Sequence, residues 1–347
     1  MTHTRNPNQA DVARRAGVSQ AMVSYVLNAS SNLSIPDETR QRILSAIEEL
    51  GYVPNRSARS LRTRKTYTIA CIIPDITNPF YPSFARGIQD VARRHQYDLL
   101  LLNTDGIVEQ ERQSLHAVIA SQVDGLIYSQ FRLTEEDLMT VQVPVVINGR
   151  QPAGHFDRLV VDDARGSFEI TSHLVATGHN RLAIIAGERD TQISQSRLKG
   201  FRKALAAHQL AEIPEWVRYG DFTEQGGRQE MLNLLALPQR PTAVFAVNDL
   251  IALGALMVMR EAGIRVPEDI ALAGFDDIPT ARYTTPSLTT VSQFQYNIGW
   301  KAAEMLFERI EGDISPEPRV VEMPCEMIIR ESSGFVQTIT PKQAGGD

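Results

Sequence analysis

At 347 residues, 43% of them hydrophobic, the chain is long enough for two or three domains with real cores. No apolar run approaches the roughly 20 residues of a membrane span. The polar opening MTHTRNPNQ lacks a secretory-signal pattern, so no membrane partner and a cytoplasmic location are expected. The net charge of −6 hides an asymmetry: residues 1–65 hold ten Arg/Lys against five Asp/Glu, a net +5 that leaves −11 for the rest. A basic head on an acidic body suits a protein with one end against phosphates.

The first elements read as a helical hairpin. Residues 11–28, DVARRAGVSQAMVSYVLN, place Val12, Ala13 and Ala16 on one stripe at helical spacing, with Arg14 and Arg15 opposite. Gly17 is a natural stop, since glycine takes the left-handed C′ conformation without a Cβ penalty. Ser19 suits the cap of a second helix, whose buried face is Val23, Val26 and Leu27. Gln20, Ala21 and Tyr25 are left outward, where a recognition helix carries its base contacts in a DNA major groove. A third helix is predicted over about 36–50, with Pro36, Asp37 and Glu38 in its first turn and Gly51 at its end. Its expected core face is Ile43, Leu44, Ile47 and Leu50. The arginine-rich segment 55–62 reads equally as a charged linker or as a helix too short to be stable alone.

From about residue 67 apolar strands alternate with amphipathic helices. Strands are predicted at 67–74, 97–103, 123–129, 144–148, 158–161, 182–187, 243–248, 270–275 and 288–292. Helices fit at about 80–95, 108–121, 164–177, 195–208, 224–236, 249–262 and 296–311. Near-continuous apolar strands separated by helices indicate parallel sheets covered on both faces, here two doubly wound α/β units. Ligands in such sheets sit at the carboxyl ends of strands, and those ends are rich in polar groups here. Cys71 and Cys325 lie far apart, fit a reducing compartment and read as small buried side chains.

Enzyme signatures are missing: there is no G-x-G-x-x-G after a strand, no P-loop and no G-x-S-x-G elbow. His173 and His179 are six apart, off a common helix face, and lack a Cys or carboxylate ligand set. Asp276 and Asp277 are neighbours at a strand end and point in different directions. No catalysis, cofactor or metal is expected.

With DVARRAGVSQAMVSYVLN come DETRQRIL, ELGYVPNRSARSLR, PDITNPFY, VDGLI, RLKGFRKAL, RPTAVFAVNDLIALGAL, GFDD and ARYTTPSLTTVSQ, in that order. Through these stretches the chain resembles the LacI/GalR family of transcriptional regulators over essentially its whole length. The resemblance implies an all-α helix-turn-helix headpiece at 1–50, a hinge helix and linker at 51–66, an effector-binding and dimerisation core at 67–338, and a polar tail at 339–347. The core is expected to be two doubly wound parallel-sheet subdomains of periplasmic-binding-protein type I. One spans about 67–163 and 294–325, the other about 164–293 and 326–338.

The implied function is a sequence-specific repressor that binds double-stranded operator DNA as a homodimer. A small-molecule effector, a sugar in the first reading and a purine or other metabolite in the second, controls its operator affinity. DNA contacts are implied at Ser19, Gln20, Ala21, Ser24, Tyr25, Asn28 and Thr39, and in the hinge at Asn55, Ala58 and Leu61. Leu61 matches a leucine that wedges into the minor groove, while Arg56, Arg59 and Arg62 read as phosphate partners. Effector contacts are implied at Asn78, Phe80, Tyr81, Arg150, Arg197, Phe222, Asn248, Asp276 and Gln293. The chain departs from the family pattern in four places. Asn8 and Gln9 replace a hydroxyl and a branched apolar residue, and the 29–35 connection is about two residues long for the family. Tyr25 stands where many members carry arginine, and Gly149 where many carry aspartate.

Overall fold

The computed structural model describes residues 7–28, 35–53, 65–129, 132–149, 154–312 and 314–334, in two compact units, Met1–Thr66 and Tyr67–Asp347. In the first unit, helix α1 (Gln9–Ala16) begins with a reciprocal cap: Asn8 Oδ1 accepts from Asp11 N at 3.1 Å, and Asp11 Oδ2 accepts from Asn8 N at 3.0 Å. Asparagine and aspartate thus rebuild the capping box that serine and glutamate more often supply. Gly17, at φ 65°, ends the helix in the left-handed region. Ser19 Oγ then accepts from Met22 N at 3.2 Å, opening α2 (Gln20–Asn28).

Helix α3 (Asp37–Leu50) completes the unit and closes at Gly51. Val12, Ala13, Ala16, Val23, Val26, Ile43, Ala46 and Tyr52 form the core, with Leu27, Ile47 and Leu50 packed at its edge. Leu44 departs from the expected core face, being 50% exposed. The buried stripe runs Ile43, Ala46, Ile47, Leu50, and each residue step rotates about 100°, which turns Leu44 out of it.

The second unit has a six-stranded sheet of β1 (Thr68–Ile73), β2 (Asp98–Asn103), β3 (Gly125–Ser129), β4 (Val145–Asn148), β5 (Asp157–Val161) and β11 (Val320–Met323). Its order is β11–β5–β4–β3–β1–β2, parallel throughout. A four-stranded parallel sheet holds β6 (Leu182–Ala186), β7 (Val217–Tyr219), β8 (Ala243–Ala246) and β9 (Ala271–Ala273) in the order β7–β6–β8–β9. β10 (Thr290–Ser292) and β12 (Glu326–Ile328) form an antiparallel pair. Bridges Ala273–Thr289 and Asp276–Ser292 tie this pair to the end of β9.

The connections are α4 (Phe80–Arg94), α5 (Val108–Ala120), the single turn α6 (Glu135–Leu138), α7 (Asp163–Ala176), α8 (Gln192–Ala207), α9 (Glu224–Leu235), α10 (Asp249–Glu261) and α11 (Gln295–Glu311). Sheet centres are apolar runs: Ile69–Ile73, Gly125–Ser129 and Leu182–Ala186 are buried on every residue. That is the signature of strands covered on both faces. Helix α8 starts at Gln192, earlier than expected, because Thr191 caps it by accepting from Ser194 N at 3.3 Å. Strands β7, β11 and β12 escaped the sequence reading, since three or four partly exposed residues carry too little period to detect. Cys71 is buried as expected, but Cys325 is only half-buried, its Sγ 3.8 Å from Asp162 O.

Candidate DNA-reading helix and ligand cavity

Helix α2 buries Val23 and Val26 and leaves Gln20, Ala21 and Tyr25 in solvent, with Tyr25 44% exposed. Ser19, at the head of the helix, is also exposed, while Ser24 and Thr39 are half-buried. Arg14 pairs with Asp11 within α1 at 3.3 Å, and Arg15 with Glu49 at 2.5 Å, so the second pair links α1 to α3. The side chain of Asn28, and all of Asn55, Arg56, Ala58, Arg59, Leu61 and Arg62, lie outside the described residues.

In the second unit a cavity of about 370 Å³ is lined by residues that follow the carboxyl ends of strands in both parallel sheets. That is where open α/β sheets gather ligands. Of the expected effector contacts, Asn78, Phe80, Tyr81, Arg197, Phe222, Asn248, Asp276 and Gln293 all line it. Arg150 lies outside the described residues.

The floor is an ionic cluster. Arg197, on α8, donates through Nε to Asp163 Oδ1 at 2.8 Å and through Nη1 to Val247 O at 2.5 Å and Asp276 Oδ1 at 3.3 Å. Its guanidinium also lies 3.8 Å over the Phe275 ring. Burial opposes the Arg197 charge, but Asp163 and Asp276 more than offset it, and its pKa is raised. Gln293 Nε2 donates to the same Asp276 Oδ1 at 2.5 Å. Among the described residues both side-chain bonds to the Asp276 carboxylate fall on Oδ1, which leaves Oδ2 for a ligand donor. Burial lifts the Asp276 carboxyl from 3.8 to about 6 against the pull of Arg197 and Gln293.

The loop that carries Asp276 is held in an unusual conformation, with Asp276 at φ 117° and Asp277 at φ 56°. Side chains in this region are strained and need support from their surroundings. Asp249, fully buried, supplies it by accepting from Ile278 N at 2.9 Å and Thr290 Oγ1 at 2.6 Å. Burial, with Asp276 nearby, pushes its carboxyl well above the usual range. Asp277 turns the other way, onto Arg330 at 2.5 Å.

Aromatic rings make the walls. Phe80 and Tyr81 pack edge-to-face with centroids 5.1 Å apart, and burial pushes the Tyr81 phenol up. The Phe222 ring lies on Gly187, where a Cβ would overlap it. Asn248 Oδ1 accepts from Ile251 N at 2.9 Å, capping α10, and its amide donates to Phe222 O at 3.0 Å. One side chain thus fixes both a helix start and an aromatic wall. Sequence reasoning missed Asp163 and Asp249, because an acid in the first turn of a helix is ordinary dipole compensation. Among the polar strand ends it did not single out the mouth carboxylates Asp75, Asp105 and Glu188 as contacts, and it passed over Asp221.

A helical DNA-reading head joined to a two-sheet body with a ligand cavity defines a ligand-responsive DNA-binding regulator. Residues 10–55 match the lacI family of bacterial regulatory proteins, and residues 171–333 match the periplasmic binding protein-like domain. The HTH-type transcriptional repressor PurR of Aliivibrio salmonicida (strain LFI1238) is 33% identical over 327 residues, covering 93% of this chain and 97% of that protein. Among solved structures, the complex of the transcriptional regulator CelR with cellobiose is 32% identical with a TM-score of 0.72, covering 94% and 99% of the two chains. The Lac repressor dimer bound to operator and the anti-inducer ONPF is 26% identical with a TM-score of 0.85, covering 95% and 100%. The chain belongs to the LacI family of transcriptional regulators. It is a DNA-binding repressor-type protein, not an enzyme.

Proposed function

We propose that the protein acts in the cytoplasm as a homodimeric repressor whose operator affinity is set by a sugar in the cavity. The observation that carries the ligand reading is Asp276. It is 5% exposed, lines the cavity, and among the described residues keeps Oδ2 open while Arg197 and Gln293 satisfy Oδ1. Ring hydroxyls donate to such an oxygen, and Phe80, Tyr81 and Phe222 offer flat faces to the apolar side of a sugar. The bound cellobiose of CelR supports the ligand class, and the operator-bound Lac repressor dimer supports the assembly.

On the DNA side, Gln20, Ala21 and Tyr25 are the base-reading positions, with Ser19, Ser24, Asn28 and Thr39 beside them. Asn55, Ala58 and Leu61 contact the minor groove. Tyrosine at position 25 lacks the bidentate fork that arginine offers guanine, so operator half-sites differ from the common family sequence at the facing base pair. Arg150 joins the effector contacts. Operator selection with and without a panel of sugars and purines tests the whole reading. A palindromic site whose retention changes with a sugar supports it, and a response to purines alone sinks the sugar assignment. Ordinary guanine at the Tyr25 position, unchanged in Tyr25→Phe, sinks the base-reading role.

A further inference from the structure

Building on the reading of this cavity as the effector site, we infer that its ligand carries positive charge: an amine-bearing, polyhydroxylated ring, with phosphorylated and carboxylated analogues excluded. The described lining brings six carboxylates, Asp75, Asp105, Asp163, Glu188, Asp221 and Asp276, against the guanidinium of Arg197, and the proposed contact Arg150 adds only one more cation. That guanidinium is already engaged by Asp163, Asp276 and Val247 O. Glu188 pairs with Arg132. The remaining three take hydrogen bonds only from neutral donors among the described residues: Asp75 from Thr77 N and Oγ1, Asp105 from Asn103 Nδ2, and Asp221 from Thr223 N and Oγ1.

These three are placed, not scattered. Asn103 Oδ1 accepts from Ile76 N at 2.6 Å while its amide donates to Asp105 Oδ1 at 2.5 Å. The loops after β1 and β2 are thereby tied together, setting Asp75 and Asp105 at one edge of the mouth. Asp105 sits there at φ 51°, in the left-handed region that aspartate tolerates better than most residues. Asp221 enters from the loop after β7, in the other sheet. Deeper in, the open Oδ2 of Asp276 calls for a donor as well. A neutral ligand that fills the mouth strips water from carboxylates and gives no charge in return. An ammonium answers them, and a phosphate adds repulsion at the same place.

The test uses full-length protein at pH 7.5 and low salt, by calorimetry and thermal shift. Probes are matched triplets (glucose, glucosamine and glucose 6-phosphate; galactose, galactosamine and galactose 6-phosphate), together with cellobiose, its diamino counterpart and adenine. In the responding series the amine should bind roughly tenfold tighter than the neutral sugar, with the advantage shrinking as salt rises, and the phosphate should not bind. The triple variant Asp75→Asn, Asp105→Asn and Asp221→Asn keeps the acceptors of Thr77, Asn103 and Thr223. It should bring amine and neutral sugar to within about threefold of each other. An unchanged ratio in the triple variant, a phosphate that binds better than its parent, or no response to any amine overturns the inference. A neutral sugar that binds while every amine fails overturns it but leaves the sugar reading standing. Adenine as the sole binder overturns both.

Discussion

Asp276→Asn removes a buried negative charge and puts a polar group of nearly the same shape in its place. The wild-type carboxyl is lifted from 3.8 to about 6, chiefly by burial, even with Arg197 at 3.3 Å and Gln293 at 2.5 Å. An acid whose folded pKa exceeds its unfolded value favours folding in its protonated form. That contribution is fully present below pH 3.8 and lost as pH rises through 6. The shift corresponds to a loss of about 3 kcal/mol at neutral pH. Asparagine Oδ1 can go on accepting from Arg197 and Gln293, so the variant should recover about 1–3 kcal/mol of it at pH 7.5.

With an unfolding entropy of about 0.6 kcal/mol/K for a unit of this size, the apo-protein Tm rises by about 2–5 °C. Differential scanning calorimetry at pH 7.5, 6.0 and 4.5 should show the gap between variant and wild type narrowing as pH falls. The same variant should lose its ligand-dependent Tm shift, because the open acceptor is gone. A variant that melts below wild type at pH 7.5, or a gap indifferent to pH, would show that the attraction of Arg197 outweighs desolvation, and the reasoning would fail.

Arg197→Met leaves Asp163 and Asp276 buried without their common cation and Val247 O without a donor. It should destabilise the body by about 3–5 kcal/mol, a Tm fall of about 5–8 °C, and adding Asp163→Asn and Asp276→Asn should restore at least half of that. Gly187→Ala drives a Cβ into the Phe222 ring, so titration should find weaker ligand binding together with a loss of about 1–3 kcal/mol in denaturant melts. Asn8→Ala deletes the side-chain half of the capping box, leaving the backbone N–H of residue 8 to donate to Asp11, and should take about 1 kcal/mol from the head. Hydrogen exchange at residues 9–16 would read it as faster opening, and unchanged protection would dismiss the cap.

The α/β core was legible wherever strands are buried on both faces, because runs such as Thr68–Ile73 and Leu182–Ala186 leave a continuous apolar trace. The shortest, partly exposed strands left none: Val217–Tyr219 and Glu326–Ile328 have three residues each and are not buried. In the head, Ile43, Ile47 and Leu50 of the expected α3 face do pack in the core, and only Leu44 does not, its place in the stripe being taken by the less conspicuous Ala46. At the site, the resemblance pointed to Asp276 and Arg197. The third member of their cluster was illegible, because Asp163 at the first position of α7 looks like any acid at a helix N-terminus. Gly149 stands where a carboxylate is expected, while the cavity holds Asp105, Asp163, Glu188 and Asp221 outside the stretches that carry the resemblance.

The chain crosses between the six-stranded sheet and the rest of the core three times, after β5, after β10 and after β11. Two of those crossings carry the floor of the cavity. Asp163 follows β5 by two residues and takes Arg197, while Gln293 follows β10 directly and takes Asp276. Phe294, the next residue, sits at φ 55°, a strained turn into α11. A ligand that engages Asp276 therefore acts on side chains rooted in the connecting segments and not only on the walls. Any differential affinity it has for two arrangements of the sheets is delivered where the chain must bend. By linkage, a partner that prefers one arrangement must alter ligand affinity by the same factor. The cluster of Asp163, Arg197, Asp276 and Gln293 is thus the place to look for uncoupling: Gln293→Leu should weaken the dependence of operator binding on ligand more than it weakens ligand binding itself. Equal losses in both would reduce Gln293 to an ordinary ligand contact.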